Sequence, residues 1–72
     1  MFVYVLYSEK SSRYYVGHTA DIDKRLKRHN SGMVPSTRGG ILWVLVLQLE
    51  VSTRSEAMIL ENKIKKEEQN GF

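Results

Sequence analysis

Phe2-Val3-Tyr4-Val5-Leu6-Tyr7-Ser8-Glu9-Lys10-Ser11-Ser12-Arg13-Tyr14-Tyr15-Val16-Gly17 is the stretch on which the fold turns. β-branched and aromatic residues dominate its two ends, Phe2 to Tyr7 and Arg13 to Gly17, and the polar segment Ser8 to Ser12 separates them. Such side chains suit a pleated, half-buried surface, so the stretch predicts a β-hairpin. Its loop is longer than the two-residue optimum, which leaves the register less tightly specified than the pairing.

Outward from the hairpin, His18-Thr19-Ala20-Asp21 leads into Ile22 and Leu26, four residues apart, and Asn30-Ser31-Gly32 closes the segment. That pattern predicts a short helix starting near Asp21, with Asp as N-cap and Gly just past the end. Arg25 and His29 are also four apart and share one of its faces. Met33 to Gly40 holds the only proline and a Gly39-Gly40 pair and reads as a loop; within it, Ser36-Thr37-Arg38-Gly39 offers hydroxyl, cationic and backbone donors suited to a phosphate. Ile41 to Leu49 is apolar except for Gln48, which predicts a third strand covered on both faces and helices on each side of the sheet. Thr53-Arg54-Ser55-Glu56 fits a capping box in which Thr53 accepts from the N3 amide and Glu56 reaches back to the cap amide. A helix from about Arg54 to Lys66 follows, and the tail Glu67 to Phe72 is expected to fray. The expected architecture is α/β of the α+β type: a three-stranded mixed or antiparallel sheet in the order β-β-α-β-α, flanked by its helices.

With 72 residues, 42% of them hydrophobic, one core is expected and therefore one domain over residues 1–72. Cysteine is absent, which excludes disulfides and thiolate zinc sites and fits a reducing, cytoplasmic setting. No signal segment is recognisable, and the longest apolar run, Ile41 to Leu47, falls far short of the roughly 20 residues that span a bilayer. Eleven Lys and Arg against eight acidic residues give a formal charge of +3, compatible with a polyanionic partner. Distribution says more. Lys24, Arg25, Lys27, Arg28 and His29 crowd one predicted helix, and Lys63, Lys65 and Lys66 lie near the end of the other. Most of these lysines also fit an ordinary solvated helix face.

Glu61 is the most informative single residue. On a helical wheel it projects from within an apolar arc of Ala57, Met58, Leu60 and Ile64. A carboxylate aimed that way is costly unless it is paired, with Arg25 as a candidate partner, or binds a metal. Tyr4 and Tyr15, one per hairpin strand, pack well as a cross-strand aromatic pair. Arg25 is a planar, always-charged donor able to grip a phosphate through two nitrogens, and His29 one turn later can shuttle a proton near neutral pH.

Taken in order, Val3-Tyr4-Val5-Leu6, then Tyr15-Val16-Gly17, then Arg25-Leu26 with His29-Asn30-Ser31-Gly32, then Glu61-Asn62 on the last helix, this pattern resembles the GIY-YIG nuclease family. It looks closest to the family's short stand-alone bacterial members and is similar to the nuclease domain that opens the incision subunit of bacterial nucleotide excision repair. The resemblance runs from Phe2 to about Lys66. Phe2 stands where the first motif has glycine, and Val16 where the second has isoleucine.

The resemblance implies a metal-dependent endonuclease that hydrolyses a phosphodiester bond in DNA, with RNA as a possible substrate too, and a role in repair or recombination. Tyr4, Tyr15, Arg25, His29 and Glu61 would be its catalytic residues, with Glu61 holding one Mg²⁺ or Mn²⁺. Gly17, His18, Lys24, Arg28, Arg38 and Asn62 would meet the nucleic acid. Two rival readings are a non-catalytic nucleic-acid-binding module that keeps the fold and a small interaction protein whose basic surface is incidental. Retention of every acid-base and metal candidate argues against both.

Overall fold

The computed structural model describes residues 1–69. Its elements run β1 (Phe2–Ser8), β2 (Arg13–Thr19), α1 (Ile22–Asn30), a single 3₁₀ turn at Arg38–Gly40, β3 (Trp43–Glu50) and α2 (Arg54–Gln69). The order matches the sequence-based expectation, and the sheet is antiparallel throughout. The hairpin register sets Tyr4 opposite Gly17 and Leu6 opposite Tyr15. β3 pairs with the other side of β1, giving the order β2-β1-β3.

The helices take opposite faces. Because side chains alternate along a strand, Val3 and Val5 of β1 join Val16, Ala57 and Ile64 beneath α2, whereas Tyr4 and Leu6 join Trp43, Tyr15, Ile22 and Leu26 beneath α1. Only the central strand β1 is buried on both faces along most of its length.

The apolar run Ile41 to Leu49 does not behave as its composition suggests. β3 is an edge strand, and beyond Trp43 it is largely open, with Val44 53% and Val46 51% exposed. Two helices over a three-stranded sheet suffice to cover β1 and β2, and α1 reaches β3 mainly at its start. There Asn30 clasps the strand, its side-chain amide donating to the Trp43 carbonyl at 3.0 Å and its oxygen accepting from the Trp43 amide at 2.6 Å. A register shift between Val5 and Leu6 inserts an extra residue, Val46, into β3, a bulge of the kind that turns an edge strand away from pairing.

Local capping follows the sequence closely. Asp21 accepts from the Lys24 amide at 3.1 Å as N-cap of α1, and Gly32 has a φ of +82° just past the helix, a conformation glycine adopts without steric cost. At α2, Thr53 accepts from the Glu56 amide at 3.2 Å, but the Glu56 carboxylate reaches Ser52 rather than the cap amide of Thr53. Two details of α2 depart from expectation. Met58 and Ile59 face solvent, 51% and 68% exposed, because the buried stripe is narrow and runs through Ala57, Leu60 and Ile64. The helix also continues through Gln69 where fraying was expected; Asn70 to Phe72 lie outside the described residues.

Candidate functional site

A cleft opens between the start of β1, the end of β2, the start of α1 and the first turns of α2. Tyr4, Tyr15, Gly17, His18, Arg25, Arg54 and Glu61 line it. Tyr4 comes from the central strand and is 2% exposed. Its ring lies directly across Gly17: a Cβ at that position would fall 2.6 Å from the Tyr4 hydroxyl and 3.2 Å from the Tyr15 ring. Gly17 therefore serves the close approach of the phenol. Tyr4 and Tyr15 stack with centroids 6.4 Å apart at 30°.

His29 does not line the cleft. It is 1% exposed, on the last turn of α1, and sits behind Tyr4 with Nε2 3.1 Å from the phenol oxygen and Nδ1 3.0 Å from the Thr37 hydroxyl. Its ring centroid is 4.7 Å from that of Tyr15. Both nitrogens are satisfied within the protein, so this histidine can reach the cleft only through Tyr4. Burial first, and then the nearby guanidinium groups of Arg25 and Arg28, hold its pKa below the ordinary value of 6.5. Burial also dominates at Tyr4, where with the neighbouring Tyr15 it raises the phenol to about 12; Arg25 works against that rise and Glu61 adds to it.

Glu61 projects into the cleft from the middle of α2, two turns after its start. One carboxylate oxygen is 2.6 Å from His18 Nδ1 and the other accepts from Lys65 at 2.7 Å. The Arg25 pairing envisaged from the sequence is not what holds it: His18, directly across from it, and Lys65, one turn further along α2, are nearer. Burial alone would raise the Glu61 pKa, but the hydrogen bonds and charges of Lys65 and His18 outweigh it, and the group lies below its ordinary value of 4.5. It is a carboxylate at any neutral pH.

The other residues expected to meet nucleic acid do not gather in one place. His18 lies in the cleft as Glu61's partner. Lys24 and Arg28 border an adjoining groove with Asp21, which shares Thr19, Ala20 and Arg25 with the cleft. Arg38 and Asn62 line neither. Arg38 donates from Nε to the Gly32 carbonyl at 2.9 Å, which fastens the loop to the end of α1, and Asn62 is exposed on α2 outside the cleft. Thr37, grouped in the sequence with a phosphate-contacting segment, is 1% exposed and faces His29.

Two residues escaped the sequence reading. Arg54 brings a second guanidinium to the cleft; it was read only as part of the cap, although seven residues before Glu61 is two helical turns, which puts both on one face. Thr37 had no local signal, since its partner lies on another element.

Among the described residues no group of three or more His, Asp or Glu could enclose a metal. The cleft fits a cation bound through one carboxylate: Glu61 is anionic, borders open space, and has partners that are only partly buried. A Mg²⁺-like ion commonly takes one or two protein carboxylates and fills its remaining positions with water and substrate phosphate oxygens.

Sheet order and the two flanking helices define a small α+β fold, and comparison with known families gives its class. The model of the GIY-YIG catalytic domain matches residues 1–72, and the chain belongs to the GIY-YIG nuclease family. Among individual proteins it is similar to the UPF0213 protein BH0048 of Halalkalibacterium halodurans, 37% identical over 65 residues, which covers 89% of this chain and 68% of that one. No solved structure gave a significant match. No helix among the described residues is long and apolar enough to cross a membrane.

Proposed function

We propose that this chain, acting as a single domain over residues 1–72, is a metal-dependent endonuclease that hydrolyses a phosphodiester bond in DNA. The observation that carries the reading is the convergence of Tyr4, Tyr15, Arg25, Arg54 and Glu61, drawn from four separate elements, on one cleft, with His29 bonded to the back of Tyr4. Packing alone gives no reason for an anionic carboxylate, two guanidiniums and two phenols to share an opening.

Glu61 would hold the Mg²⁺ or Mn²⁺. When bound, such an ion neutralises charge on the phosphate and lowers the pKa of water. Arg25 and Arg54 bind the phosphate oxygens and stabilise the charge that builds there during attack. Tyr15 orients the phosphate or the water by donating its hydroxyl hydrogen. Tyr4, held neutral by burial, acts as a relay: its oxygen takes a proton from the attacking water while its own proton passes to His29 Nε2. The water oxygen bonds to phosphorus, the bond to the leaving oxygen breaks, and solvent protonates that oxygen. The depressed pKa of His29 favours rapid loss of the acquired proton. Lys24 and Arg28 extend a cationic track for the flanking backbone. The family's chemistry and the absence of cysteine point to a cytoplasmic role in DNA repair or recombination.

The test is nicking of supercoiled, flapped and branched DNA in Mg²⁺, with EDTA and with Glu61→Gln as controls. Metal-dependent nicking by the wild type that is lost in both controls is expected. Retention of DNA without nicking on any substrate would instead identify a binding module that keeps the fold.

A further inference from the structure

His29 is useful as a proton acceptor for Tyr4 only in one of its two neutral forms. If Nε2 carries the hydrogen, the ring donates to the phenol oxygen and blocks it; if Nδ1 carries it, the Nε2 lone pair faces the phenol hydrogen. Both ends of the buried chain indicate which form is present. At one end, the Thr37 hydroxyl has the Val34 carbonyl 3.4 Å away as an acceptor for its own hydrogen, which leaves its oxygen free to accept from His29 Nδ1 at 3.0 Å. At the other end, Arg25 lines the cleft together with Tyr4 and its guanidinium can only donate, so the phenol's own hydrogen is directed inward to Nε2 at 3.1 Å.

Thr37 is itself held from several directions. Its amide donates to the Val34 carbonyl at 3.1 Å, and its carbonyl accepts from the Trp43 indole at 2.7 Å and from the Gly40 amide at 3.1 Å. The 3₁₀ turn at Arg38–Gly40 packs against the same tryptophan: a Cβ on Gly40 would fall 2.5 Å from its ring. The loop from Met33 to Gly40 is thereby a buttress whose one inward-facing hydroxyl meets the imidazole, and this accounts for a threonine buried to 1% exposure in a surface loop.

We propose that Thr37 is a positioning residue that fixes His29 in the Nδ1–H tautomer and so directs the Tyr4 proton toward Nε2. The chain of donation runs Tyr4 Oη–H to His29 Nε2, His29 Nδ1–H to Thr37 Oγ1, and Thr37 Oγ1–H to the Val34 carbonyl. The tautomer follows from the buried geometry alone; its use in turnover rests on the nuclease reading.

The experiment is long-range ¹H–¹⁵N NMR of the His29 ring at neutral pH in wild type, Thr37→Val and Thr37→Ser, with nicking kinetics on the same preparations. Wild type should show a protonated Nδ1 and a bare Nε2. Thr37→Val removes the acceptor at similar volume and should move population to the Nε2–H form; Thr37→Ser should restore the wild-type spectrum. In nicking assays the valine variant should lose about tenfold or more in kcat with KM little changed, a part of the roughly 10²–10⁴-fold that an acid-base group contributes, and serine should recover most of it. An Nε2–H ring in the wild type, or a tautomer unmoved by Thr37→Val, would overturn the proposal. Should the valine variant not fold, an Nε2–H ring in the wild type would still overturn the proposal. The expected spectra in a protein that nicks no DNA would uphold Thr37's part and sink the nuclease reading instead.

Discussion

On the floor of the cleft and directly behind it, Tyr4 and His29 are 2% and 1% exposed, and each imidazole nitrogen has one fixed protein partner. On its wall, Glu61 keeps 15% of its side chain exposed and is held by His18 and Lys65, which are 22% and 47% exposed. The floor is a closed chain whose members cannot exchange partners without leaving a buried polar group unpaired, a cost of about 1–3 kcal/mol. The wall is an open set in which water, a cation or a phosphate can take the place of either partner more readily than on the floor, since each partner keeps contact with solvent. Proton handling needs the first arrangement and ligand exchange the second. A cleft built wholly in either manner would do only half of the proposed chemistry.

The largest expected effect lies on the wall. Glu61→Gln keeps the side-chain volume and much of the hydrogen bonding but removes the charge, so metal-dependent nicking should fall by at least about 10³-fold, the equivalent of several kcal/mol of lost charge stabilisation. Stability should change far less than activity, because glutamine keeps the volume and can still hydrogen-bond to the partly exposed His18 and Lys65. If the variant melted early and still nicked DNA in magnesium, Glu61 would be a structural salt-bridge residue and the contrast between wall and floor would collapse.

Next comes the floor, probed through its backing rather than its polar atoms. Gly17→Ala places a methyl 2.6 Å from the Tyr4 hydroxyl, and the ring must move. A shift on the scale of 1 Å costs about 10²-fold in turnover, against a stability loss of about 1–3 kcal/mol for overpacking. Thermal melting beside nicking separates the two, and equal activity in wild type and variant would show that Tyr4 placement is not limiting.

Acid distinguishes floor from wall by stability alone. His29 has a folded pKa below its ordinary 6.5 and Glu61 one below its ordinary 4.5. In each case the unfolded chain binds the proton first as pH falls, so stability is present above the ordinary value and is lost below it, down to the folded pKa. Melting temperature should therefore drop in two stages, the first beginning near pH 6.5 and the second near pH 4.5. His29→Gln should remove the first stage and Glu61→Gln diminish the second. A single transition at carboxylate pH in the wild type would mean that His29 is not held neutral by burial.

Smaller effects test exchangeability. Lys65→Ala frees one oxygen of Glu61 and should cost only about 0.3–0.5 kcal/mol, while lowering the magnesium concentration needed for half-maximal nicking; a rise in that concentration would show that Lys65 orients Glu61 for the cation. Lys24→Ala, in the adjoining groove, should weaken DNA binding about equally across sequences and reduce the salt-dependence slope by about one, with turnover at saturation unchanged. Titration of binding against salt checks it.

The element order was legible in the sequence because each element carries its own local signal. Alternating strand residues, Asp21 as N-cap, Gly32 past the helix end and the Thr53–Glu56 pattern all act through bonds spanning a few residues. Tyr4, Tyr15, Arg25 and Glu61 could be picked out in the same way, as residue types in a recognisable order, and Glu61 further stood out as a carboxylate on the buried side of a helix. The sequence by itself thus determined which segments fold and which side chains are chemically able to act. Tertiary structure alone decided who neighbours whom. β3 became an open edge because two helices cannot cover three strands on both faces, a matter of area that no apolar run reports. His29 was moved behind Tyr4, Thr37 was turned inward against it, His18 was paired with Glu61 across 43 positions of chain, and Arg54 was added to the cleft. Those outcomes depend on the stacking of two helices on a twisted sheet, where non-local distances arise from packing geometry rather than from residue identity.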